Sequence, residues 1–270
     1  MSQVLFELEN VHYAYLGRFP ALSGVDMTIT RGKRVTFMGA NGCGKSTLLN
    51  LLDALIFSDK GRVVFNGTEL KESNFKDVKF SRGFRRKVGL VFQNPDIQLF
   101  CPTVREDILF GPLQLGLGEE EARKKMEGLA EKLRFTHLLD RSPHQLSVGE
   151  KRKVAFASTL AVDPEILLLD EPTAGLDPKT TAQILEMLLT ASNEGKTLVT
   201  ATHDTHFVED LSDEIFVFTP GGTLAGHGTP EEIMRDTKLL EANNLIHTHP
   251  HRHHGEIHSH PHQHLEDHHA

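Results

Sequence analysis

Gly39-Ala40-Asn41-Gly42-Cys43-Gly44-Lys45-Ser46-Thr47 fills every defined position of the pattern G-x-x-x-x-G-K-[ST]. Glycines let the backbone curl until successive N–H groups face an anion. The run Leu48-Leu49-Asn50-Leu51-Leu52 that follows reads as a helix, whose N-terminus adds partial positive charge at the same spot. Lys45 would reach the β- and γ-phosphates of a nucleoside triphosphate, and the Ser46 hydroxyl would join the shell of its Mg²⁺. Val35-Thr36-Phe37-Met38, just before the loop, reads as a buried strand. Strand, loop and helix in that order are the context in which this pattern binds phosphate.

A second strand brings acids. Ile166-Leu167-Leu168-Leu169 is a continuous apolar run, typical of a parallel strand covered on both faces, and it ends in Asp170-Glu171. Beside a phosphate loop, Asp170 supplies a Mg²⁺-associated carboxylate, and Glu171 can polarise the attacking water as general base. Leu146-Ser147-Val148-Gly149-Glu150 precedes the helical stretch Lys151–Leu160. Ser147 with Glu150 three residues on is a capping box, while Gly149 in the first turn leaves N–H groups open to an anion.

The elements that must hold these residues alternate in type. Residues 4–11 and 25–30 alternate apolar and polar, as half-buried strands do, and Arg62–Phe65 runs into an Asn66-Gly67 turn. Together they predict an antiparallel sheet beside the nucleotide site. Residues 68–86 give no clear pattern. Val88–Phe92 reads as a buried strand ending in Gln93-Asn94-Pro95; Thr103 caps a helical stretch from Val104, which Gly116 and Gly118 interrupt. Glu119–Arg134 resumes it with Ala122, Met126, Leu129 and Leu133 on one stripe. Residues 93–160 therefore form a mostly helical insertion. Thr180–Ser192 reads as a helix, Thr197–Thr202 and Ile215–Phe218 as strands, and Pro230–Asn244 as one last helix.

Six motifs now stand in one order: Gly39–Thr47, Gln93, Leu146–Glu150, Ile166–Glu171, Ala174-Gly175-Leu176-Asp177 and His203. Over about residues 4–235 the chain resembles the ATPase subunits of ABC transporters. Gln93-Asn94-Pro95-Asp96-Ile97-Gln98-Leu99-Phe100 and Thr103–Asp107 are similar to the energy-coupling-factor branch, which includes cobalt and nickel importers. The resemblance implies an α/β fold: a P-loop NTPase (RecA-like) core with an N-terminal antiparallel β subdomain and an inserted helical subdomain, within a domain of residues 1–245. It implies ATP hydrolysis with Mg²⁺. By the same resemblance Tyr15 (or Tyr13) stacks on adenine, and Gln93 contacts the Mg²⁺–water site and senses a membrane partner. His203 holds the γ-phosphate and attacking water, Ser147 and Gly149 reach the γ-phosphate of an opposing subunit, and Asp177 lines the dimer seam. The signature departs from the commonest form at Val148 (Gly) and Glu150 (Gln), changes that keep Ser147 and Gly149. One cassette per chain implies a homodimer or a pair with a sister ATPase, served by a transmembrane coupling subunit and a substrate-binding membrane subunit.

Composition narrows the rest. A net charge of −8 across 270 residues gives no general attraction to nucleic acid. No apolar run approaches the ~20 residues that span a bilayer, and the N-terminus lacks a signal pattern. The expected place is therefore the cytoplasmic face of the membrane, reached through partners. Two cysteines, Cys43 and Cys101, make no disulfide framework and fit a reducing compartment. Cys43 invites a redox-sensor reading, because helix N-termini acidify thiols, or a plain small-residue one.

Of 17 histidines, 11 fall between His247 and His269. Residues 246–270 are otherwise polar and are expected to be a disordered His-rich tail. His249, His251, His253, His254, His258, His260, His262 and His264 offer imidazoles suited to Ni²⁺ or Co²⁺. The leading expectation is the motor of a nickel or cobalt importer; an energy-coupling ATPase for a vitamin or other metabolite is the alternative. An ABC-type ATPase acting on nucleic acid is the poorer reading, since Lys45 and Ser147 stand only 102 residues apart, too few for a long coiled coil.

Overall fold

The computed structural model describes residues 3–206, 208–253 and 256–263, with side chains described as far as Ile246. The chain opens with β1 (Val4–Tyr15) and β2 (Phe19–Thr30), then β3 (Arg34–Met38), α1 (Lys45–Leu52), β4 (Lys60–Phe65) and β5 (Thr68–Glu69). Phe6 and Leu8 of β1 point inward, and a register shift before Val11, with Asn10 at φ 47, returns the strand to the same core face. That bulge lets β1 run past residue 11, where the simple alternation stops. Asn66 and Gly67, both at positive φ, close the β4–β5 hairpin as a tight two-residue turn requires. The resulting sheet has the order β2-β1-β4-β5 and is antiparallel throughout.

Residues 68–86, unassigned from sequence, form β5, α2 (Glu72–Phe75) and α3 (Val78–Arg85). What orders them is an aromatic cluster that no periodicity displays: Phe75 packs edge-on against Phe80 and Phe84, and Phe84 against Phe65 of β4.

After β6 (Val88–Val91) comes the helical insertion: α4 (Val104–Gln114), α5 (Glu119–Lys132) and α6 (Val148–Leu160). Thr103 and Glu106 cap α4 reciprocally, and α5 buries Ala122, Met126 and Ala130. These helices share a core with Val154 and Phe156 of α6.

The remaining elements are β7 (Ile166–Asp170), α7 (Pro178–Asn193), β8 (Thr197–Thr202), α8 (Val208–Leu211), β9 (Glu214–Phe218) and β10 (Leu224–Gly228). Among the described residues the central sheet has six strands in the order β10-β9-β3-β8-β7-β6, parallel except for β10 at its edge. Every residue of β7 and β8 is buried, as parallel strands between two helical layers must be. This is the α/β core with antiparallel β and inserted helical subdomains that the sequence predicts.

Two expectations change near the C-terminus. The single helix expected over 230–244 is two, α9 (Pro230–Arg235) and α10 (Thr237–Ala242). Asp236 between them leaves helical geometry at ψ 76, and its carboxylate accepts from Leu239 N to start α10. The tail, expected to lack order, carries two backbone strands, β11 (Ile246–His253) and β12 (Glu256–Gln263), paired antiparallel. Histidine at every second position matches the two-residue period of a strand.

Candidate active site

Parallel strands share a carboxyl edge, and the chemistry-bearing residues gather there. The phosphate loop leaves β3, Asp170-Glu171 ends β7, and Thr202-His203 ends β8, which lies between the two. Val91 of β6 pairs with Leu169, so Gln93 emerges beside Asp170-Glu171, exposed to solvent.

The loop needs its glycines for stated reasons. Gly44 sits at φ 98, and a Cβ there would come within 2.4 Å of the Ala21 carbonyl oxygen. A Cβ on Gly39 would lie 2.5 Å from Cys43 Sγ. Asn41 and Gly42 stay exposed at the turn, with Gly42 at φ 83. Lys45 is buried, and its ammonium donates to Gly39 O at 2.6 Å and Ala40 O at 3.2 Å. Nζ also stands 4.0 Å from Glu171 Oε1. With two of its three protons on the loop's own carbonyls, one faces the acid edge.

Ser46 donates to Asp170 Oδ1 at 3.0 Å. Burial pushes the Asp170 carboxyl above its ordinary range, partly offset by the Ser46 hydrogen bond and by the charges of Lys45 and Arg152. A hydroxyl and a carboxylate at this spacing are the hard oxygen donors Mg²⁺ prefers, so the donor set fits that ion.

Glu171 is held more tightly than a turn acid. Its backbone is left-handed (φ 44) and its side chain is buried. Oε1 accepts from His203 N at 3.0 Å and from His203 Nδ1 at 2.7 Å. An ionised carboxylate only accepts, so Nδ1 carries a proton, which leaves Nε2 for other partners.

Tyr15 hydrogen-bonds Thr47 Oγ1 at 3.1 Å and stays substantially exposed, whereas Tyr13 packs against the core. Of the two, Tyr15 is the more exposed ring and the one bonded to the loop, and it stands edge-on to Tyr13 at 5.0 Å.

Ser147 and Gly149 lie elsewhere, at the start of α6. The capping box is real: Ser147 accepts from Glu150 N, and Glu150 accepts from Ser147 N and Oγ at 2.8 Å each. Those hydrogen bonds hold the Glu150 carboxyl below its ordinary range. Ser147 and Val148 of this turn are exposed, and Gly149 is half-buried. A Cβ on Gly149 would lie 3.6 Å from Thr180 Oγ1 and 3.9 Å from Asp177 Oδ2. The signature turn and Asp177 thus form one surface. Asp177 caps α7, accepting from Lys179 N, Thr180 N and Thr180 Oγ1.

Comparison with known proteins settles the class. The ABC transporter family pattern matches residues 22–174, more than half of the chain. The chain belongs to the ABC transporter family, as an ATPase cassette. It is 46% identical over 244 residues to the nickel import ATP-binding protein NikO of Rhodobacter capsulatus, covering 89% of this chain and 95% of that one. It is 43% identical over 241 residues to the energy-coupling factor transporter ATP-binding protein EcfA of Methanothermobacter thermautotrophicus, covering 89% and 76%. Among solved structures, CbiO1 of Clostridium perfringens, part of the ABC transporter complex CbiONQ, superposes with a TM-score of 0.74 at 35% identity, covering 90% and 95%. A dimeric ATP-binding cassette bound to ADP and Pi gives 0.75 at 28% identity, covering 84% and 99%. Cassettes of this family bind ATP with Mg²⁺ and work as dimers with transmembrane subunits. No helix among the described residues of this cassette is long and apolar enough to cross a membrane.

Two residues of the cassette's site escape sequence reasoning. Thr202 donates to Glu171 Oε2. Arg152, buried in α6, donates to Phe92 O at 3.1 Å and Ala174 O at 3.5 Å, which ties the segments carrying Gln93 and Asp177 to the signature helix. Within Lys151-Arg152-Lys153 it looks like part of a solvated face, so no pattern marks it. The tail histidines His249, His251, His253, His258, His260 and His262 fall on β11 and β12, but their side chains, and His254 and His264 altogether, lie outside the described residues.

Cys43 is 1% exposed, and burial raises its thiol pKa. Its sulfur lies beneath the loop, which favours the small-residue reading over a redox sensor. A bulky maleimide should leave Cys43 unlabelled in the native cassette at neutral pH, with or without MgATP, and label it on unfolding. Rapid native labelling, read by mass spectrometry, would place the thiol on the surface.

Proposed function

We propose that this cassette is the ATP-hydrolysing motor of a membrane importer whose cargo is nickel or cobalt. The observation that carries the motor reading is the convergence of Lys45, Ser46, Asp170, Glu171 and His203 on one sheet edge. Lys45 neutralises the β- and γ-phosphates of ATP, whose adenine stacks on Tyr15. Ser46 and Asp170, with Gln93 alongside, would hold Mg²⁺, whose charge would screen the phosphates. A water attacks the γ-phosphorus as its bond to the bridging oxygen breaks, and the water's proton passes to Glu171 Oε1. His203 holds the γ-phosphate and that water in line. Gly39, Asn41, Gly42, Cys43, Gly44 and Thr47 supply the backbone cradle.

Two cassettes complete each site. Ser147 and Gly149 of one reach the γ-phosphate in the other, with Asp177 along the seam. The exposed Val148 beside Ser147 supports this, since a capping box gives no reason to leave a large apolar side chain in solvent. Ser147→Arg should leave ATP affinity unchanged and lower stability by no more than the cap's contribution, about 1 kcal/mol, yet abolish turnover. Melting and phosphate release from one preparation separate the two roles.

The cargo reading rests on the similarity to a nickel import ATPase across nearly the whole chain, together with the tail's histidines. The tail supplies Ni²⁺ or Co²⁺ ligands on the cytoplasmic side. Removing residues 247–270 should abolish most Ni²⁺ and Co²⁺ binding while basal hydrolysis persists. Binding by the intact tail should weaken as pH falls through about 6.5, where imidazole takes up the competing proton. Calorimetry on full-length and truncated chains at pH 7.5 and 5.5 tests this; equal binding by the truncated chain removes the tail from the account. The similarity to an energy-coupling factor ATPase keeps a metabolite cargo as the second reading.

The membrane partner has a fitting surface. Ile97 and Phe100, just past Gln93, and Phe110 and Leu113 of α4 are exposed, with the Phe100 and Phe110 rings edge-on at 5.0 Å. Such a patch on the segment that carries Gln93 suits an apolar helix end of a transmembrane subunit. The double variant Phe100→Asp with Phe110→Asp should lose co-purification with membrane subunits and keep ATP binding.

A further inference from the structure

β8 grips the general base at three places. Glu171 N donates to Ala201 O at 2.9 Å, His203 binds Oε1 through its backbone N and its ring, and Thr202 Oγ1 lies 2.9 Å from Oε2. The Thr202 hydroxyl has no freedom in this contact. It already accepts from Asp204 N at 3.0 Å, and a carboxylate can only accept, so its proton points at Oε2. Thr202 is itself buried, as is Glu171, so no bulk solvent substitutes for the bond.

The two carboxylate oxygens are therefore unequal. Oε2 takes the Thr202 hydroxyl, while Oε1 takes both His203 donors and lies 4.0 Å from the Lys45 ammonium. We infer that Thr202 is a positioning residue for hydrolysis: by engaging Oε2 it fixes the rotation of the Glu171 carboxylate, so that Oε1 meets the attacking water as the His203 ring bond gives way to it. The inference rests on Glu171 being the base. The left-handed backbone at Glu171 is a sparsely populated conformation that persists where surrounding contacts over-determine it, and the bonds from Glu171 to Ala201 and Thr202 are two such contacts.

Thr202→Val keeps the β-branched shape in a buried strand and removes the hydroxyl, both the donor to Glu171 and the acceptor of Asp204 N; Thr202→Ser keeps both. In the full-length cassette with its membrane subunits, Thr202→Val should lower kcat at least tenfold, as loss of a hydrogen bond to a charged group does, with KM for ATP within about twofold. Thr202→Ser should stay within about threefold of wild type. In a Glu171→Gln background, Thr202→Val should change the residual rate less than about twofold, because it acts through the carboxylate. A fully active Thr202→Val beside an inactive Glu171→Gln overturns this inference alone. So does a Thr202→Ser as impaired as the valine variant. Near-normal turnover by Glu171→Gln overturns the base assignment and this inference with it.

Discussion

Glu171→Gln should bind MgATP as tightly as wild type and lose roughly 10²–10⁴-fold in turnover, the range a positioned general base supplies. The amide keeps the shape that Thr202 and His203 grip, but it has no basic oxygen for the proton of the attacking water. Its NH₂ would meet either the Thr202 hydroxyl or the His203 donors, so a small loss of stability accompanies the change. With the phosphate cradle intact and the bond uncleaved, ATP stays at the seam and two cassettes stay together. Size-exclusion chromatography with MgATP should show the variant as a dimer, reverting when nucleotide is removed. Turnover within a few-fold of wild type would remove Glu171 from the chemistry.

Lys45→Ala should act earlier, on binding. The buried ammonium is the cation of the loop closest to the acid edge, and its loss leaves the β- and γ-phosphates without their charge-assisted donor. ATP affinity should fall roughly 10- to 100-fold, as expected for a hydrogen bond between charged groups. Gly39 O and Ala40 O lose a donor as well, so the loop itself loosens. Lys45→Met, which keeps the stem and removes only the charge, should lose comparable affinity. Titration with a fluorescent ATP analogue measures both; unchanged affinity in Lys45→Met would place the phosphates elsewhere.

The patterns that sequence displays best are local and periodic, and the core follows them. The apolar runs of β3, β7 and β8 and the glycine-rich turn between β3 and α1 are legible because burial on both faces and positive φ each restrict residue choice directly. Where order comes from contacts distant in sequence, legibility ends. The Phe65–Phe84–Phe75 cluster orders residues 68–86 across chain separations that no periodicity spans. The break at Asp236 follows from one side-chain cap inside a helical pattern. At the site, Glu171 and His203 stand out by type, but the bond from Thr202 that orients the carboxylate does not, because a threonine ending a buried strand looks like any β-branched strand residue. Arg152 hides among its basic neighbours for the same reason: burial is a property of the packed chain.

In the proposed function, ATP cleavage at this sheet edge drives nickel or cobalt across a membrane. Its most direct test is metal accumulation by proteoliposomes that hold the cassette with its co-purified membrane subunits, with ATP supplied on the cassette side. The account expects labelled Ni²⁺ or Co²⁺ to move to the cassette side with wild-type protein and none to move with Glu171→Gln. Wild-type hydrolysis with no metal movement, or equal movement with Glu171→Gln, would contradict it.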